Sequence, residues 1–214
     1  MGVDLEVLIA HELTAEQVFE LPERLSCALP VFAAMSALCA AMEPRWPRAV
    51  PEPWTWHQLG IQRRRPVTGP ARVRELWADG EPVILEGAAG LTFIRTKLIR
   101  LAARCKLAGF ADETCGIQAP IRGLCRALAH EVGSTRAIYL PDSGANNPFV
   151  NLFPEGASFE EAVARLTAHQ LPARDLASLY PLRRDPDGWL RGTGEFAYFI
   201  DDFQCEAASD QAAQ

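Results

Sequence analysis

Three carboxylates stand just beyond apolar runs of strand character. Asp142 follows Arg136–Leu140, and Asp201 with Asp202 follows Glu195–Ile200. If those runs were parallel neighbours, their C-terminal ends would gather all three acids. Such a set could hold a hard cation such as Mg²⁺, or serve a hydrolase-type or other enzyme without metal. The simpler role is local, because Pro141-Asp142-Ser143-Gly144 is a turn sequence in its own right. That role is preferred, so no metal ligand and no cofactor is assigned. Asp142, Asp201 and Asp202 stand as the alternative catalytic set.

The four histidines, His11, His57, His130 and His169, fall in four different segments. Neither His11-Glu12 nor His130-Glu131 is followed by a second histidine four residues after the first; Ala15 and Ser134 occupy those places. A zinc protease of the H-E-x-x-H type is thereby excluded. The nucleophile elbow G-x-S-x-G is missing from the sequence. So are G-x-G-x-x-G and G-x-x-x-x-G-K-S/T, the common phosphate-cradling loops. His130 sits near the end of a proposed helix, where a cation suits the negative end of the helix dipole. A distant Cys–His pair using Cys115 has no local support.

The cysteines are Cys27, Cys39, Cys105, Cys115, Cys125 and Cys205. No pair is spaced C-x-x-C, so a zinc knuckle has no basis. A chain of this size should bury about 70% of its unfolded surface and needs no disulfide staple. Its start, Met1-Gly2-Val3-Asp4-Leu5-Glu6, lacks the basic region of a secretory signal. Cytoplasmic, reduced thiols are expected. Alkylation of the denatured, unreduced protein should give six adducts by mass spectrometry. A pair protected until reductant is added would overturn this.

Certain elements must position these residues. Val3, Leu5, Val7 and Ile9 alternate with Asp4 and Glu6, the period of a strand. Thr14 and Gln17 form a capping box before a helix over 15–25. Pro30 suits the first turn of a second helix, with Phe32, Met35, Cys39 and Met42 on one face. A short helix over 72–78 and a strand over 81–86 follow. The Gly87–Gly90 turn then leads into a strand over 91–101, closing a hairpin. The clearest helix spans 118–132, with Ile121, Leu124, Cys125 and Leu128 on one face and Gly133 ending it. Ser158 and Glu161 form a second capping box. The pattern is α+β: a single domain over 1–205, with helices packed on a mixed or antiparallel sheet. The tail over 206–214 is expected to fray.

Between Glu43 and Ala71 the periodicity stops. Six prolines punctuate this segment, and it holds Trp46, Trp54 and Trp56, three of the five tryptophans. Its aromatic content argues for an ordered, irregular Pro/Trp-rich loop rather than disorder. Either the indoles cover the core, or they form a partner-binding surface of rigid aromatic anchors.

The net charge is −6, from 21 basic against 27 acidic residues, and Arg63-Arg64-Arg65 is the one dense basic run. That run reads as a solvated loop, so no nucleic-acid partner is expected. The longest apolar stretch, Ala28–Met42, is shorter than the roughly 20 residues a bilayer needs, so no membrane partner is expected either. The Arg-Ala-Ile-Tyr-Leu-Pro-Asp-Ser-Gly stretch at 136–144 and Tyr-Phe-Ile-Asp-Asp-Phe at 198–203 resemble segments of small uncharacterised bacterial proteins. The resemblance covers only these segments and brings no activity with it. The expectation is therefore a non-enzymatic protein-binding protein whose partner is another protein. A toxin-neutralising immunity protein is its most concrete form, and an adaptor or oligomeric structural protein is the third reading.

Overall fold

The computed structural model describes residues 3–42, 62–63, 68–79, 83–86, 90–94, 97–142, 157–169, 172–180, 182–184, 186–187, 190–192 and 197–204. Trp46, Trp54 and Trp56, most of the Pro/Trp-rich segment and the tail over 206–214 lie outside these residues.

Strand β1 (Asp4–Ala10) occupies an interior place in a seven-stranded sheet. The other strands of that sheet are β2 (Gln62–Arg63), β3 (Val83–Glu86), β4 (Gly90–Ile94), β5 (Leu98–Lys106), β6 (Arg136–Asp142) and β9 (Phe199–Asp202). The order is β2-β3-β4-β5-β1-β6-β9, and every neighbouring pair among them is antiparallel. A small hairpin of β7 (Leu182–Arg184) and β8 (Leu190–Gly192) forms a separate sheet. Helices pack on the main sheet, and the fold is α+β.

Leu5, Val7 and Ile9 point into the larger core. There they meet α1 (Ala15–Cys27), α2 (Leu29–Met42), α3 (Pro70–Ala78), α4 (Leu107–Ala111) and α5 (Gln118–Glu131). Leu8 points the other way, into a second core with Leu98, Ile138, Leu140 and Tyr198 under α6 (Phe159–His169). This explains why Leu8 breaks the alternation of β1: a strand covered on both faces needs apolar residues on both. Glu6 shares the Leu8 face and is buried, ion-paired with Arg100 of β5.

Local signals fix the helix ends. Thr14 accepts from the Gln17 amide at 3.3 Å while Gln17 Oε1 accepts from the Thr14 amide at 2.8 Å, the reciprocal box that starts α1. Ser158 and Glu161 repeat it ahead of α6, at 2.7 and 3.2 Å. At the far end of α5, the Ser134 amide donates to the Ala129 carbonyl at 2.8 Å and the Gly133 amide to His130 at 3.2 Å. This is a Schellman stop, with Gly133 at φ 73°. A Cβ there would meet nothing within 4 Å, so only the left-handed backbone opposes a side chain. Gly133→Ala is expected to cost about 1–2 kcal/mol in chemical denaturation. A neutral result would show that the stop does not depend on glycine.

Four segments differ from the sequence expectation. The run over 91–101 is not one strand, because β4 ends at Ile94 and turns back into β5, with Ile94 opposite Leu98. Arg95-Thr96-Lys97 contains no Gly, Pro, Asn or Asp to mark that turn. The buried face of α2 carries Val31, Met35 and Leu38, while Phe32 is half-buried. With no charged residue anywhere in α2, no polar face was there to set its rotation. Strand β6 runs through Pro141 to Asp142 rather than stopping at Leu140. A strand proline is tolerated because β9 pairs with β6 only as far as Tyr139. Finally, Gln62–Arg63 pairs with β3, so the basic run begins in a strand rather than a loop.

Among the described residues, no helix is long and apolar enough to cross a membrane.

Candidate functional site

Among the described residues, a buried group of ionisable side chains lies where α5 meets β6 and β9. Successive strand residues face opposite sides, so Asp201 turns inward while Asp202 turns away. Asp201 is 5% exposed and accepts two hydrogen bonds from Arg122 of α5, Nε to Oδ2 at 2.8 Å and Nη2 to Oδ1 at 3.0 Å. Arg122 itself keeps 29% of its side chain exposed. The paired hydrogen bonds hold the guanidinium above its ordinary range.

Beside this pair lie Tyr139 of β6 and Cys125 of α5, both fully buried. Phe110 stacks on the Tyr139 ring at 5.1 Å between centroids. The enclosed Tyr139 hydroxyl lies beside the Cys125 thiol, Asp201 and Arg122. Burial pushes the phenol well above its usual range and the Cys125 thiol up to about 12. Both therefore stay protonated through the physiological range. A thiol must ionise to act as a nucleophile, so Cys125 is chemically inert here. What the contacts show is a tie between β9 and α5 through the Arg122–Asp201 pair.

The structure does not assemble the three sequence-predicted acids. Strands β6 and β9 are neighbours, as the metal arrangement required, but they run antiparallel. Asp201 lies opposite Ala137 and Asp202 opposite Arg136, at the start of β6, while Asp142 ends that strand opposite Asp4 of β1. The separation along the strand is about 17 Å. Asp201 and Asp202 also belong to β9 itself rather than following it, and Asp202 Oδ1 accepts from the Gln204 amide at 3.0 Å. Among the described residues, no three His, Cys, Asp or Glu side chains converge as a metal site.

The other candidates are scattered. His11, at the end of β1, is 2% exposed, and its Nδ1 accepts from the Leu13 amide at 3.1 Å. His130 is exposed in the last turn of α5, 3.9 Å from Glu131. His57 lies outside the described residues, and His169 is the last residue of α6. Cys115 lies 3.6 Å from Asp112 Oδ2, its hydrogen-bond acceptor. Cys27, Cys105, Cys115 and Cys125 are thiols rather than disulfides.

Sequence reasoning also missed a surface. Helix α2 contains no charged residue, yet Leu29 is 79% exposed and Pro30, Ala33, Ala37 and Ala40 face outward with it. The outward faces of α1, α3, α5 and α6 instead carry charges such as Glu20, Arg72, Arg126 and Glu161. The sequence signal for it is fourteen residues without a charge. No family model, curated protein or solved structure matches this chain.

Proposed function

We propose that this is a non-enzymatic protein-binding protein acting in the cytoplasm, in its most concrete form a bacterial immunity protein that neutralises a toxin. The observation that carries the reading is the outer face of α2. A helix that presents Leu29, Pro30, Ala33, Ala37 and Ala40 to solvent, among helices with charged faces, is what a partner surface requires. In sequence α2 runs directly into the segment bearing Trp46, Trp54 and Trp56. Tryptophan is among the side chains that most often anchor protein interfaces. The net charge of −6 favours a basic protein partner over nucleic acid.

The test begins with a photo-crosslinking residue at position 37 or 54, in the cell that makes the protein. A specific adduct with one other protein is expected, and the partner is then purified for binding measurements. Ala37→Glu, Trp54→Ala and Trp56→Ala should each weaken binding by about 30-fold, equivalent to about 2 kcal/mol. Ala37→Glu should leave stability within about 0.5 kcal/mol, since it lies on an exposed helix face. If the partner is a toxin, co-expression should rescue growth and Ala37→Glu should abolish the rescue. Adducts of the chain only with itself would favour an oligomeric structural protein. Unchanged affinity in all three variants would end the proposal. A loss of about 3–5 kcal/mol of stability in both tryptophan variants, with affinity retained, would place the indoles in the core and leave α2 alone as the surface.

A further inference from the structure

We draw no further inference here: the strongest candidate, the enclosed cluster of Cys105, Cys125 and Tyr139 beside the Arg122–Asp201 pair where α5 crosses β6 and β9, belongs to the site already described, and burial holds its Cys125 thiol and Tyr139 phenol in their neutral forms.

Discussion

Replacing Arg122 with alanine should destabilise the protein by about 3–5 kcal/mol, because it leaves the Asp201 carboxylate buried without its counter-charge. The opposite truncation should be milder. In Asp201→Ala the remaining guanidinium is already part-exposed and can draw on solvent, so about 1–3 kcal/mol is expected. The asymmetry is the informative part, since two equal losses would mean that burial does not decide the energetics. Arg122→Met combined with Asp201→Leu should recover most of the loss, as apolar side chains of similar shape have no charge to desolvate. Urea denaturation of the four proteins measures all of this. Amide exchange should show where the pair acts. In Arg122→Ala, β9 should open before the rest of the sheet, although Phe203 still donates to the Thr135 carbonyl at 2.9 Å and lies 5.7 Å beneath Arg126. Uniform protection across β6 and β9 would show that the pair does not anchor this edge.

Acid should weaken the fold through His11 before the carboxylates titrate. Burial lowers this imidazole from 6.5 to about 4, with Glu12 opposing the shift and Lys97 adding to it. The unfolded chain therefore takes up a proton between those values while the folded chain does not. Stability is full above pH 6.5, falls as pH drops toward 4, and loses nothing more to this group below that. The full effect is about 3 kcal/mol. His11→Asn can keep an acceptor for the Leu13 amide without an ionisable ring, and should flatten the profile between pH 6.5 and 4.5. A variant with the wild-type slope would assign the acid sensitivity to other groups.

Local chemistry made much of this architecture legible. Two reciprocal caps, at Thr14/Gln17 and Ser158/Glu161, involve atoms three residues apart, and Gly133 ends α5 through bonds within its last turn. Each signal is complete within a few residues, so no distant packing is needed to read it. The same holds for the apolar face of α5, where Ile121, Leu124, Cys125 and Leu128 are all buried. The β4–β5 turn was not legible, because it uses none of the residues that mark a turn. The rotation of α2 was not legible either, since an uncharged helix offers no amphipathic contrast.

The candidate site divides along the same line. The sequence by itself determined that three acids lie close to the C-terminal ends of two apolar runs, that familiar catalytic motifs are missing, and that a long uncharged helix precedes a tryptophan-bearing segment. Only the tertiary structure decided that β6 and β9 are antiparallel, which puts Asp142 at one end of the sheet and Asp201 at the other. It also decided that Arg122, on another element altogether, is the partner of Asp201. The physical reason is that strand order and direction are settled by packing between distant segments. Two strands with identical local propensities can pair either way, and the choice alone determines whether their acids meet. Exposure of α2 is of the same kind. Its residues are uncharged in any fold, but which of them face solvent depends on where α1 and α5 pack against it.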